Sequence, residues 1–295
     1  MIRLIALLLL PFLSACTTLA EPPPPAFASN RIGVTVRGSG PDVVLIPGLS
    51  SSPQVWESTI AAMPGYRYHL VHVGGFAGRP AGANASGPVV EPVAGEIARY
   101  IRESGLRQPA LVGHSLGGFL GMIVASRQPD LVSRLMVVDM LPFMGAMFGG
   151  PTATADSVRP MAEQFRKAIA SSAGAERQVV TDQMIATMVR TQSLRPAAVR
   201  HSLDSDANVS GQAMYDLITT DLRPELGNIK VPTTALWVYP PGAPVTQDQM
   251  AGFYRMSYST LPQARLVRVP NAYHFIMWDE PEAFQRELRT FLGAR

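Results

Sequence analysis

A serine flanked by glycines is the first feature of this 295-residue sequence that could perform chemistry. Residues 113–117 read Gly-His-Ser-Leu-Gly, which places Ser115 at the centre of a Gly-x-Ser-x-Gly pattern. An apolar run, residues 110–112, leads into the pattern, and a helix-like segment, residues 116–126, leads out of it. In a sharp strand-to-helix turn, such glycines let the backbone pass where a Cβ atom would collide, so that the serine hydroxyl projects above the sheet. The pattern predicts that Ser115 is a nucleophile.

A serine nucleophile needs a base to take its proton, and the chain has five histidines. His274 follows the last predicted strand and precedes a predicted helix, with Asp279 as the expected N-cap and Pro281 in its first turn. The remaining histidines lie inside the serine motif, in or beside a predicted strand, or in a long helical region: His114, His69, His72 and His201. We predict that His274 is the base.

A carboxylate is needed to orient the imidazole of the base. Asp139 ends the predicted strand that follows the helix after Ser115, and a right-handed crossover makes that strand a neighbour of the strand before Ser115. Asp248 is the alternative, in a stretch, residues 246–253, that predicts the start of a helix. An early Asp there more often serves as a cap or interacts with the helix dipole. We predict Asp139 as the acid and keep Asp248 open.

Short apolar runs alternate with helical patterns from residue 31 onward, which is typical of an α/β fold with a mostly parallel sheet flanked by helices. The predicted strands are residues 32–36, 43–46, 69–73, 110–113, 135–139, 234–239 and 266–269. Residues 140–229 contain no strand pattern and predict a helical cap insertion. The core of the domain is therefore expected to comprise residues 30–139 and 230–295.

The chain resembles the α/β-hydrolase superfamily, and within it serine esterases and lipases, over almost its whole mature length. The resemblance rests on the serine motif, on the position of His274, and on Pro47-Gly48-Leu49 after a strand, which is similar to the family's oxyanion loop. It implies that the backbone N–H groups of Leu49 and Leu116 hold the oxyanion of a tetrahedral intermediate. Two departures are Pro47, where relatives commonly have His, and Ala243, where many relatives carry the acid.

These residues predict hydrolysis of carboxylic esters through an acyl-enzyme intermediate. Lactone hydrolysis, amide hydrolysis and acyl transfer would use the same residues, and a binding module without turnover is an alternative of another class. We expect no organic cofactor and no metal ion, since the sequence has no glycine-rich phosphate loop and no Cys and His clusters with ligand spacing. A serine nucleophile, in place of an aspartate, disfavours epoxide or halide chemistry. The sequence does not identify the substrate.

Four large apolar side chains follow the strand that ends at Asp139: Phe143, Met144, Met147 and Phe148. They are expected to lie above the active site, because loops after this edge of the sheet cover it and methionine adapts to apolar ligands. The hypothesis is a hydrophobic acyl pocket and an apolar, uncharged ester as substrate. The alternative is that these side chains only pack the insertion against the sheet.

The first residues predict export. Arg3 precedes an apolar stretch too short to span a bilayer, and residues 13–16, Leu-Ser-Ala-Cys, resemble the lipobox of bacterial lipoproteins. We expect residues 1–15 to be removed, a lipid on Cys16, and residues 16–29 to form a proline-rich tether to a membrane, with the domain facing the periplasm. Thr17 slightly favours the outer membrane. The formal net charge of +3, without blocks of basic residues, argues against a nucleic-acid partner.

Overall fold

A single seven-stranded sheet organises the protein in the computed structural model, which describes residues 27–243 and 245–293. The strands are β1 (Ile32–Gly38), β2 (Asp42–Ile46), β3 (Arg67–Val73), β4 (Ala110–His114), β5 (Arg134–Val138), β6 (Thr233–Trp237) and β7 (Arg265–Arg268). Their order across the sheet is β1-β3-β2-β4-β5-β6-β7, and only β1 pairs antiparallel to its neighbour. The seven predicted strands and the mostly parallel sheet are confirmed.

The central strands are buried on both faces, which explains why they read as continuous apolar runs. In β4, Leu111 packs into the core on one side of the sheet and Val112 into the core on the other. β5 alternates in the same way, with Val137 on the first side and Val138 on the second. The period of two residues in a strand therefore divides the interior into two layers.

Eleven α-helices are found among the described residues: α1 (Glu57–Ala62), α2 (Val90–Glu103), α3 (Leu116–Arg127), α4 (Ala146–Gly149), α5 (Ala155–Ser171), α6 (Gly174–Met188), α7 (Arg195–Leu203), α8 (Ala207–Thr219), α9 (Gln247–Ser257), α10 (Ile276–Asp279) and α11 (Pro281–Leu292). α2 buries Val93 and Ile97 in the first core layer. α11 buries Phe284 and Leu288 in the second. Each helix thus buries one apolar stripe, with residues spaced three or four apart, against the sheet.

The chain between β5 and β6 forms helices and no strand, so a helical insertion, here called the cap, is present as predicted. Within it α5 packs on α8, and α6 packs on α7. The hydroxyl groups of Ser50 and Ser210 lie 2.8 Å apart, so α8 contacts the loop after β2. The cap therefore rests on the edge of the sheet at which the predicted site residues lie.

The predicted signal peptide, Cys16 and most of the tether lie outside the described residues. Of the helices in the part of the chain that the structure describes, none is both long enough and apolar enough to cross a bilayer.

Candidate active site

Ser115 lies in a strained turn between β4 and α3. Its φ of 53° and ψ of −123° are rarely adopted by a residue with a side chain, and such a conformation costs about 1–3 kcal/mol. The surrounding backbone holds it there: the Ser115 N–H donates to the Val138 carbonyl at 2.8 Å, and the N–H groups of Gly118 and Phe119 donate to the Ser115 carbonyl at 2.8 and 3.1 Å. The turn therefore fixes a serine, only 9% exposed, at the carboxyl edge of the sheet.

The two glycines of the motif are required by close backbone approaches. A Cβ atom at Gly113 would overlap the Gly117 carbonyl, and one at Gly117 would overlap the Ile46 carbonyl. The first approach closes the turn around Ser115, and the second brings α3 against the end of β2. The two glycines of the sequence pattern are therefore explained by the tight backbone packing around the serine.

His274 lies in the loop between β7 and α10, and its ring contacts the predicted acid. Its Nδ1 is 2.7 Å from Oδ2 of Asp139. Asp139 directly follows β5, with a φ of 53°, and its N–H donates to the Leu236 carbonyl at 2.9 Å. Because β5 pairs with β4, Asp139 and Ser115 extend from neighbouring strands at the same edge. The structure therefore brings His274 and Asp139 together beside Ser115.

Asp248 has a different environment. It lies in the first turn of α9, where its side chain is exposed, and Thr246 and Gln249 form the capping box of that helix. The contact with His274 comes from Asp139 alone among the described carboxylates. Neither the Ser115 hydroxyl nor Nε2 of His274 makes a hydrogen bond with any described residue. In an unliganded site such contacts are often long and tighten when substrate binds.

A buried tyrosine supports Asp139, and the sequence analysis did not identify it. The Tyr254 hydroxyl, on α9, donates to Oδ1 of Asp139 at 3.1 Å, and the Val238 N–H donates to the same oxygen at 3.3 Å. Burial, and then the charge of Asp139, raises the pKa of Tyr254 well above its ordinary value, so the hydroxyl stays protonated and donates. Tyr258, one turn later, donates to the Met140 carbonyl at 2.7 Å. Tyrosines four residues apart on a helix resemble an ordinary core stripe, so sequence offered no signal.

His114, next to the nucleophile, supports the histidine loop. Its Nε2–H donates to the His274 carbonyl at 3.0 Å, and the ring centroids of the two histidines are 4.6 Å apart. Burial, and then the neighbouring His274, holds the pKa of His114 well below its ordinary value, so this ring is neutral. His114 therefore positions the loop by a backbone contact and leaves the His274 side chain to face Asp139.

The loop after β2 lies directly against the serine turn. A Cβ atom at Gly48 would be 3.1 Å from Cβ of Ser115, so the loop has little room to move there. Ser50 adopts a φ of 52°, and the Ser51 N–H closes the turn on the Gly48 carbonyl at 3.3 Å. The N–H groups of Leu49 and Leu116, the predicted oxyanion donors, make no hydrogen bond within the described chain. They are therefore available to a ligand.

The predicted acyl pocket is not formed as expected. Phe143 is buried inside the cap with Ala146, Val158 and Ile218, beneath the guanidinium of Arg223, so for Phe143 the prediction is wrong. Met147 and Phe148 are exposed at the surface, and Phe148 packs on Phe165. Met144 is half-buried between the cap and the sheet. The four side chains thus lie in different environments, which a hydrophobic pattern alone does not reveal.

Within residues 27–243 and 245–293, no group of three or more His, Cys, Asp or Glu side chains is arranged to hold a metal ion. An open groove of about 590 Å³ lies between α6 and α7, lined by Asp182, Arg195, Arg200 and Asp204 among others. It does not include Ser115, Asp139 or His274.

The seven-stranded sheet with its helical cap defines a class of protein, the α/β hydrolases, and comparison with known proteins assigns the chain to the same class. The family model of the alpha/beta hydrolase fold matches residues 41–281, so the chain belongs to that family. It is 27% identical over 268 residues to a pimeloyl-[acyl-carrier protein] methyl ester esterase of Vibrio atlanticus, covering 87% of this chain and 96% of the relative. It is 26% identical over 269 residues to an sn-1-specific diacylglycerol lipase of Mus musculus, covering 86% and 81%.

Solved structures show the same fold. An esterase from Exiguobacterium antarcticum superposes with a TM-score of 0.73 and 22% sequence identity, covering 89% of this chain and 96% of that one. The α/β-hydrolase fold predicted from sequence is therefore confirmed, and the chain is related to esterases and lipases.

Proposed function

We propose that this protein is a serine hydrolase that cleaves carboxylic esters, with Ser115 as nucleophile, His274 as base and Asp139 as the acid that orients the base. The main support is the 2.7 Å contact between Nδ1 of His274 and Oδ2 of Asp139, made beside a serine held in a strained turn. This contact fixes the tautomer in which Nδ1 carries the proton and Nε2 can accept one.

The reaction proceeds in two halves. Nε2 of His274 takes the proton of the Ser115 hydroxyl while Oγ forms a bond to the ester carbonyl carbon, and the N–H groups of Leu49 and Leu116 stabilise the oxyanion. Collapse breaks the bond to the alcohol, which leaves with the proton from His274. Water then repeats the sequence on the acyl-enzyme and releases the acid. Each oxyanion donor contributes about 3 kcal/mol to transition-state stabilisation.

The proposed substrate class is supported by two relatives, whose names specify a methyl ester esterase and a diacylglycerol lipase. Small carboxylic esters are therefore the proposed substrates. Preference for an apolar acyl group loses the support of Phe143, which lies inside the cap. Hydrolysis of lactones or amides, and acyl transfer to an alcohol, would use the same three residues. These reactions should be assayed together with ester hydrolysis.

Labelling with a fluorophosphonate tests the proposed nucleophile. The wild-type protein should form a covalent adduct at Ser115, located by peptide mass spectrometry, and it should hydrolyse members of an ester series of increasing acyl length. Ser115→Ala should abolish both. Ser126→Ala is the matched control, because Ser126 is also buried, on the helix that follows Ser115, and donates to the Ile123 carbonyl. A folded wild-type protein that forms no adduct at Ser115 would contradict the proposal and favour a binding module without turnover.

The sequence of the first residues supports a further proposal: the protein is anchored to a bacterial membrane, facing the periplasm, by a lipid on Cys16. The support is the order of a basic residue, a short apolar stretch and Leu-Ser-Ala-Cys at residues 13–16.

In a bacterial host, the full-length protein should fractionate with membranes and incorporate an alkyne-labelled fatty acid. Cys16→Ser should remove the label and either release the protein or block its processing, because serine offers no thiol for the lipid. Thr18→Ala, in the same segment, should behave as wild type. Unchanged fractionation and processing of the Cys16→Ser protein would disprove the lipid anchor.

A further inference from the structure

Asp279 joins two distant parts of the chain through its carboxylate. It is the last residue of α10 and is 8% exposed. Its Oδ2 accepts from the Tyr273 N–H at 2.9 Å and from the Arg190 N–H at 3.1 Å, and its Oδ1 accepts from the Thr191 N–H at 2.9 Å. The predicted role of Asp279 as a helix N-cap is therefore wrong. Its donors belong to the segment that directly follows the cap helix α6 and to the residue before His274.

Two more contacts connect the same segments. The Phe275 N–H, directly after His274, donates to the Met188 carbonyl at 3.2 Å. The Arg190 guanidinium donates to the Asn271 carbonyl at 2.7 Å. We call these contacts, together with the three bonds to the Asp279 carboxylate, the cap–histidine clasp. It holds the backbone on both sides of His274.

The histidine loop needs such support, because it has no regular secondary structure between β7 and α10. Asn271 adopts a φ of 61°, and the only described backbone contact at His274 itself is the bond from His114 to its carbonyl. A base must be held close to its productive geometry, since a displacement of about 1 Å can cost ~10²-fold in rate. Bonds from N–H groups to an ionised carboxylate are the stronger kind of hydrogen bond and suit this task.

We propose that Asp279 is a positioning residue for His274: it acts through the Tyr273 N–H and makes the placement of the base depend on cap residues 188–191. The inference rests on the proposed function, since it assigns His274 the role of base. Asp279 itself does not touch Ser115, Asp139 or the His274 ring. Its effect passes through the backbone of the loop.

Both carboxylate oxygens are needed, because three donors converge on them. An asparagine at this position would present one oxygen and one NH2 group, and the NH2 group cannot accept. Either the Thr191 N–H or the pair from Tyr273 and Arg190 would then face a donor. Asp279→Asn therefore opens the clasp while changing almost no volume.

The expected result for Asp279→Asn is a fall in kcat of about 10- to 100-fold, with KM changed by less than about threefold and an equal fall in the rate of fluorophosphonate labelling at Ser115. Glu282→Gln is the matched control, an exposed carboxylate in the first turn of α11, and should match wild type. Arg190→Ala removes the guanidinium bond to the Asn271 carbonyl, together with the ion pair to Glu280, and should lower kcat in the same way by about 3- to 10-fold. Arg190 is exposed, so this variant tests the clasp even if Asp279→Asn fails to fold.

A double-mutant cycle separates positioning from a general structural effect. In the Asp139→Asn background the orientation of His274 is already lost, so adding Asp279→Asn should lower the labelling rate by less than about threefold. The inference would be overturned if Asp279→Asn lowered the labelling rate by the same factor in the wild-type and Asp139→Asn backgrounds. Wild-type kcat in a folded Asp279→Asn or Arg190→Ala protein would also overturn it. An inactive wild-type protein without a Ser115 adduct would instead contradict the proposed function.

Discussion

Replacement of His274 by alanine should lower kcat for ester hydrolysis by about 10⁶-fold, as the loss of a triad base does in serine hydrolases. Without the imidazole, the proposed base that takes the Ser115 proton and returns it to the leaving alcohol is missing. The effect should fall on kcat and kcat/KM alike, because proton transfer takes place in the transition state. Steady-state kinetics on the purified variant, with circular dichroism to verify the fold, measures it.

His114→Phe is the informative control for this variant, since His114 also lies beside Ser115. The substitution keeps a ring and removes the 3.0 Å bond to the His274 carbonyl. A neutral hydrogen bond contributes about 1 kcal/mol net, so kcat should fall by no more than about tenfold. A dead His114→Phe enzyme beside an active His274→Ala enzyme would make His114 the base. The buried, neutral state of His114 argues against that result.

The strands could be predicted because β4 and β5 are covered on both faces and read as unbroken apolar runs. Their order could not: β3 lies between β1 and β2, and this pairing depends on contacts across the sheet. The helical cap followed from the missing strand pattern at residues 140–229. The positions of the side chains around α4 could not be predicted in this way. Phe143 was expected in a pocket, whereas it lies in the core of the cap.

Local signals also determined which candidate site residues could be selected from the sequence. Ser115 and His274 follow strands within recognisable motifs, and Asp139 could be chosen because a crossover makes neighbours of consecutive parallel strands. Asp279 precedes Glu-Pro at a helix start and has the local pattern of an N-cap. Its cap donors are 88 and 89 residues away, and only the folded structure brings them together. Residues that support others through such contacts leave no local pattern.

Asp139→Asn should lower kcat by about 10⁴-fold, and the contacts of the carboxylate explain why. Oδ1 accepts from the Tyr254 hydroxyl and the Val238 N–H, so the amide oxygen of the variant should occupy that position. Its NH2 group then faces Nδ1 of His274, which must become an acceptor. The proton moves to Nε2, and the imidazole can no longer take the proton of Ser115.

Asp248→Asn is the matched control, an exposed carboxylate in the first turn of α9, and should stay within about twofold of wild type because surface substitutions usually change little. Folding of both variants is verified by circular dichroism, and the labelling rate at Ser115 should fall only for Asp139→Asn. Near-normal hydrolysis by a folded Asp139→Asn enzyme, together with a dead Asp248→Asn enzyme, would reverse the assignment. The rate of hydrolysis and the labelling rate at Ser115 both test whether Asp139 holds His274 in a single tautomer.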